Sequence, residues 1–305
     1  MDARTGARLQ MLAAAALFST GGMAIKACQL TGWQVACFRS GLGALTLLVL
    51  IPGTRRGWSW RTLLVGLAYA ATLCLYVLSN KLTTAANAIF LQSTAPLYLL
   101  LVSPLLLKER IRVGELWFLA AMALGLSLFF WGYEAPQATA PNPALGNVLA
   151  AVAGLTWALT VAGLRWLARA EGQEGGSPAG AAAGAAVVGN LLVFAGCLPL
   201  ALPVEQAVPA DWIWVGYLGV VQIGIAYVFM TRSVRRVPAL EGALLLLLEP
   251  VLNTLWAWLA HGEVPGTWSR LGAVTILVAT LVHTLRSRGG EAETVYEEAA
   301  SSSDS

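Results

Sequence analysis

The chain has 305 residues, of which 57% are hydrophobic and only 11% charged, against roughly 25% charged in an ordinary soluble domain. So few charges cannot coat a soluble fold of this length. That excludes an ordinary cytosolic enzyme, a nucleic-acid binder and a disordered scaffold. The formal charge of +3 hides an asymmetry, because residues 1–288 hold 19 bases against 11 acids, a net of +8. The remaining stretch, 289–305, holds Glu291, Glu293, Glu297, Glu298 and Asp304 with no Lys or Arg. It is acidic and Ser-rich, and it is expected to be a disordered cytoplasmic tail.

Ten apolar runs follow one another, at about 9–28, 33–51, 62–80, 84–107, 113–131, 144–164, 180–202, 212–231, 238–260 and 268–285. Most are near the roughly 20 residues that span a bilayer as a helix. None alternates apolar with polar as a membrane strand would. In lipid only a helix satisfies its own backbone over such a length. The expected class is an all-α polytopic membrane protein. The first run follows Arg4 and Arg8 like a signal peptide, but it continues through Met23, Ala24 and Ile25 without a small-residue cleavage site, so an uncleaved helix is expected. The run at 180–202 has the weakest signal, since its start is rich in Gly and Ala.

With the N-terminus inside, 15 of the 19 basic residues fall on the cytoplasmic side. Lys81 and Arg270 lie in outer loops, and Lys26 and Arg39 near the outer ends of the first two runs. This bias predicts both termini in the cytoplasm and an even number of helices. The four cysteines, Cys28, Cys37, Cys74 and Cys197, lie in or beside apolar runs with no CxxC pair. They read as small apolar fillers, although Cys28 and Cys37 flank one turn and could be bridged.

The chain also repeats itself. The third run ends Leu75-Tyr76-Val77-Leu78-Ser79-Asn80-Lys81, and the eighth ends Ala226-Tyr227-Val228-Phe229-Met230-Thr231-Arg232. Pro96 and Glu109 are matched by Pro250 and Glu263 at the same offset of 154 residues, and Phe18 is matched by Trp157. Two units of five helices follow, at 1–138 and 139–288. An odd number of helices per unit inverts the second in the membrane, a device of secondary transporters whose site lies near the midplane. At Ala15-Ala16-Leu17-Phe18-Ser19-Thr20, Lys26, Arg39, Tyr227 through Val237-Pro238-Ala239, and Leu248-Glu249-Pro250 followed by Gly262-Glu263, the sequence resembles the drug/metabolite transporter superfamily of EamA type. It departs at Lys108-Glu109, where the family often has Gly-Glu, and at Phe18, where Trp is commoner. The resemblance implies ten helices and transport of small metabolites, often export of amino acids or drug-like compounds.

Ionisable groups within apolar helices are functional candidates. Glu249 lies mid-run, with Asn253 and Trp256 on the same helical face. It either meets substrate or a coupling proton, or it bonds a neighbouring helix beside the Pro250 kink. Tyr69, Thr72 and Tyr76 share one face, as do Asn87, Thr94 and Tyr98, and Trp157 falls mid-run. These side chains could line an amphipathic cavity or pack between helices. Gln222 and Asn190 are expected to be interhelical bonds, and Glu241 a helix-start charge. Arg39 and Lys26 are expected to snorkel to the headgroups, with guarding of an outer cavity mouth the other role open to Arg39. That leaves no base at the midplane, so a sugar phosphate is not the expected solute. No nucleotide or metal motif is present, and no cofactor is expected. His261 and His283 fall at opposite faces. A membrane-embedded enzyme would need paired acid–base or metal-ligand groups at depth, and the sequence offers one mid-membrane carboxylate. The expected activity is secondary transport of amino acids or related metabolites across the cytoplasmic membrane, by a monomer or homodimer in the lipid bilayer. Import on the same fold is the alternative.

Overall fold

A computed structural model describes residues 3–55, 58–106, 113–132, 134–173, 178–233 and 236–303. Among them no strand is present, only an isolated bridge between Gln137 and Ala140. The helices that match the apolar runs are α1 Thr5–Ala27, α2 Gly32–Leu50, α3 Trp60–Leu82, α4 Ala85–Val102, α5 Leu116–Leu128, α6 Pro143–Arg169, α7 Gly180–Ala201, α8 Pro209–Ser233, α9 Glu241–His261 and α10 Thr267–Arg286. Nine are long and apolar enough to cross a membrane, and α5 is shorter but apolar. This is a ten-helix polytopic membrane protein. The run with the weakest sequence signal, α7, has a mean hydropathy of 2.0, the highest of the nine. Its Gly and Ala residues are small rather than polar, and they let neighbours approach closely.

Exposed tryptophans collect at two levels. Trp33, Trp131, Trp212, Trp258 and Trp268 lie at the helix ends beside Lys26, and Trp58 and Trp60 lie at the opposite end. Two aromatic levels are the pattern of a bilayer's two interfaces. The last helix does not stop at residue 288, because its backbone stays helical to Ser303. A disordered tail was the expectation there. The Ala and Glu residues of this segment have high helix propensity, which carries the helix on.

Local chemistry sets the helix ends. Thr31 and Ser59 cap α2 and α3 with reciprocal bonds to Gln34 and Thr62. Thr84 caps α4 by accepting from the Asn87 N–H at 3.2 Å. Several helices are interrupted inside the membrane. α1 breaks between Ser19 and Gly21, α4 at Ser93–Thr94, and α9 at Leu247. Pro96 and Pro250 cannot donate to the carbonyls four residues earlier, which ends the first half of each helix. Ser93 and Leu247 are themselves 154 residues apart, the offset of the two prolines.

The packing obeys the repeat. α3 packs on α6 as α8 packs on α1, α2 on α8 as α7 on α3, and α4 on α6 as α9 on α1. α2 with α7, α4 with α9 and α5 with α10 pair equivalent helices. The most extensive packings all join one five-helix unit to the other.

Candidate functional site

One end of the bundle is closed by charge. Lys26 and Glu263 are each only 2% exposed, and Lys26 Nζ lies 2.8 Å from Glu263 Oε1. The same ammonium donates to the carbonyls of Thr83 at 2.8 Å and Thr139 at 2.6 Å. An ammonium has three N–H donors; two are spent on these carbonyls, and Glu263 supplies the counter-charge. Glu263 Oε2 accepts from the Ala85 N–H at 2.8 Å, an otherwise unpaired donor at the start of α4. Gly262 makes this reach possible: its φ of +66° ends α9 in a left-handed turn and sends Glu263 back into the bundle. The expectation that Lys26 snorkels to headgroups is therefore overturned, since its tip is buried and paired with a carboxylate inside the protein.

Asn87 belongs to this same closed end. Its Nδ2 donates to Glu134 Oε2 at 2.9 Å and to Asn147 Oδ1 at 3.2 Å. Asn147 also accepts from Thr83 Oγ1 at 2.7 Å and donates to the Phe129 carbonyl at 3.0 Å. Glu134 accepts from the Gly266 N–H at 3.1 Å and from Ser269 Oγ at 2.5 Å. Capping by Thr84 puts Asn87 in the first turn of α4, so it does not join the mid-membrane face expected for it. Lys26, Glu263, Glu134 and Asn147 form a network that the sequence does not announce. Its visible signals are the Gly262-Glu263 pair and a lone lysine ending an apolar run.

Deeper in the bundle the remaining candidates fall into two groups. Tyr76, Glu249 and Asn253 come together. Asn253 is fully buried and donates from Nδ2 to the Tyr76 hydroxyl at 3.3 Å, and Glu249 lies within electrostatic reach of that hydroxyl. Glu249 is half-buried in the first turn of the second half of α9, where the helix dipole favours a carboxylate. The hydrogen bonds and ion pairs of the described residues do not include it. Gly22 permits this crossing: a Cβ there would sit 2.4 Å from Asn253 Oδ1 and 2.8 Å from Ala85 Cβ. Trp256 is held beside the group by donating from Nε1 to Ser19 Oγ at 3.0 Å.

The second group joins α3 to α6. The rings of Tyr69 and Trp157 lie 6.1 Å apart at 47°, and Thr72 bonds Thr156 at 2.9 Å. Tyr98 packs against Gly154, one turn before Trp157, where an added Cβ would lie 3.2 Å from its ring. Gln222 donates to the Phe18 carbonyl at 3.4 Å, an interhelical bond as expected. It sits in a π-helical stretch, Tyr217–Ile225, that faces the break in α1, where Thr20 and Tyr217 hydroxyls lie 2.9 Å apart. π-Helical turns recur at functional sites.

Arg39 departs most from expectation. It is 2% exposed, and in the 19-residue α2 it stands two residues from the centre, about 3 Å along the axis. It is not a headgroup anchor, and the midplane does hold a base. Glu241 lies in the first turn of α9 as expected, and its carboxylate in addition pairs with Arg8 through both oxygens, fastening α1 to α9 at the end opposite Lys26. All four cysteines are free. Cys28 and Cys37 are not bridged, and Cys74 Sγ lies 3.8 Å from Cys197 Sγ. Beside Arg39, α8 touches α2 at Gly219, where a Cβ would lie 2.7 Å from the Arg39 carbonyl oxygen and 2.5 Å from Leu42 Cβ. Gly219→Ala is therefore expected to cost about 1–3 kcal/mol, read as a lower unfolding temperature in detergent. An unchanged temperature would show that the crossing is looser than described.

The sequence profile of the EamA-like transporter family matches residues 6–131 and, a second time, residues 144–285. The chain belongs to this family. The double match is the repeat seen in the packing. Among curated proteins, the chain is similar to the pseudopaline exporter CntI of Pseudomonas aeruginosa, in strains UCBPP-PA14 and PAO1. Identity is 27% over 267 residues, covering 84% of this chain and 87% of each relative. A solved crystal structure covers 95% of this chain and 100% of its own at 23% identity with a TM-score of 0.61, a likeness of fold. Family and relative point to this EamA-like chain being a membrane transporter rather than an enzyme.

Proposed function

We propose that the chain is a secondary transporter that exports small organic metabolites, amino acids or related compounds first, across the cytoplasmic membrane by alternating access. The observation that carries this is the contrast between its two ends. The Lys26–Glu263 end is closed by buried bonds. The opposite end has a cavity of about 590 Å³ lined by residues that include Gln10, Ile51, Ala183, Thr231, Arg232 and Arg236. The positive-inside bias favours the cytoplasm for that basic end, and a hollow there with a sealed opposite end supports reading the arrangement as inward-facing. Broken helices at membrane depth are what such carriers use to build a site. The family and the exporter relative support transport and its direction. The aromatic and neutral polar side chains Tyr69, Tyr76, Tyr98 and Trp157 suit a solute with an apolar body.

Purified protein in vesicles, offered amino acids, amino-acid analogues and hydrophobic drugs, tests the proposal. Flux that depends on the protein and runs outward in cells is expected. A protein that moves none of them overturns it, and net inward movement in cells favours the importer. Orientation is tested separately. Reporters fused at Ala138 and at Ser305 are expected on opposite sides, with Ser305 cytoplasmic. The same side for both would contradict the proposed topology.

A further inference from the structure

A guanidinium deep in a membrane bundle must find counter-charge or hydrogen-bond acceptors, because burying it without them is costly. Arg39 has little of either. Its Nη2 reaches the Leu73 carbonyl at a long 3.4 Å, and its Nε has no acceptor. Among the described residues no carboxylate pairs with it. The groups within its electrostatic reach are the hydroxyls of Tyr69 and Tyr76 and the thiols of Cys74 and Cys28. Asn190 on α7 is fully buried, but its Nδ2 donates to the Ala186 carbonyl of its own helix at 2.9 Å rather than across helices, and its side chain meets the Tyr69 hydroxyl. A buried cation with an unmet N–H, beside the aromatic rings of Tyr69 and Tyr76, is an incomplete hydrogen-bond set.

We infer that Arg39 is the carboxylate anchor of the transport site. The solute class is then a carboxylate. This rests on the proposed transport function and narrows it. A single planar fork matches a carboxylate bidentately. A phosphate would call for a second base, and the nearest lysines are engaged elsewhere: Lys26 by Glu263 and Lys81 by the Cys28 carbonyl at 2.6 Å. Tyr69, half-buried against Trp157, places a ring where the solute's side chain would follow.

The test compares each proteinogenic amino acid with its carboxamide, in vesicles containing the unaltered protein and in vesicles containing Arg39→Gln or Arg39→Lys. The unaltered protein is expected to prefer the acid by on the order of 10- to 100-fold. Arg39→Gln is expected to lose that preference while Arg39→Lys keeps part of it, which a purely structural arginine would not produce. Equal flux of acids and carboxamides through the unaltered protein overturns the assignment, and needs no variant to fold. Flux of hydrophobic drugs alone also overturns it and leaves the transporter standing. Flux of nothing overturns both.

Discussion

Replacing Glu263 by Ala is expected to destabilise the folded bundle by about 3–5 kcal/mol, because it leaves the Lys26 ammonium buried without its counter-charge. The pair has a solvent exposure of 2% on each side, so water cannot take the place of the lost carboxylate. The change also frees the Ala85 N–H at the start of α4, which adds to the cost. Lys26→Met is expected to do similar damage from the other partner. The double variant Lys26→Met/Glu263→Leu removes both charges, so it should recover much of the loss. Thermal unfolding in detergent, followed by tryptophan fluorescence, reads all three. Single variants within about 1 kcal/mol of the unaltered protein would show that the pair is solvated. A double variant as damaged as the singles would show that packing, and not charge, dominates there.

Glu249→Gln is expected to abolish transport driven by a pH gradient while leaving the unfolding temperature nearly unchanged. The substitution keeps the side chain's shape and removes its ionisation. Glu249 is half-buried beside Tyr76 and has no hydrogen-bond or ion-pair partner among the described residues. Beyond the modest helix-dipole term, no partner in its surroundings depends on a carboxylate for structure, whereas carrying a proton does. The check is pH-driven uptake into inverted vesicles alongside solute exchange without a gradient. Full pH-driven uptake by the variant eliminates the proton role. Loss of folded protein would mean that the carboxylate holds α9 to a neighbour.

The helices were legible because apolar length is a one-dimensional signal, and Pro250 marked the break in α9. The break in α1 was not legible, since Gly21-Gly22 reads equally well as close packing. Arg39 and Lys26 were misjudged for a common reason. A base at a helix end, as Lys26 is, or about 10 Å from one, as Arg39 is, can reach headgroups or turn inward, and rise per residue does not say which. The answer for Lys26 lay in Glu263, a residue in a loop by hydropathy whose direction depends on one left-handed glycine. Asn87 was misplaced because the run's apolar start concealed the cap at Thr84. The periodicity of α9 put Glu249 and Asn253 on one face, and that of α3 put Tyr76 with Tyr69 and Thr72. That Tyr76 meets Asn253 instead of staying with Tyr69 and Thr72 was not legible, because the crossing of α3 with α9 is not written in either helix's period.

The packing between units has a consequence for how the protein is made. The first five helices leave the ribosome before any of their principal partners exist, since the largest contacts all reach into the second unit. During that interval Lys26 lacks Glu263, Asn87 lacks Asn147, and α2 lacks α7. Each of these groups is costly to leave unpaired in hydrocarbon. The newly inserted first half is thus an unfinished surface, a client for whatever shields nascent membrane segments. Its maturation is timed by the arrival of α9 and of the turn after it, where Glu263 brings the carboxylate that locks α1 in place.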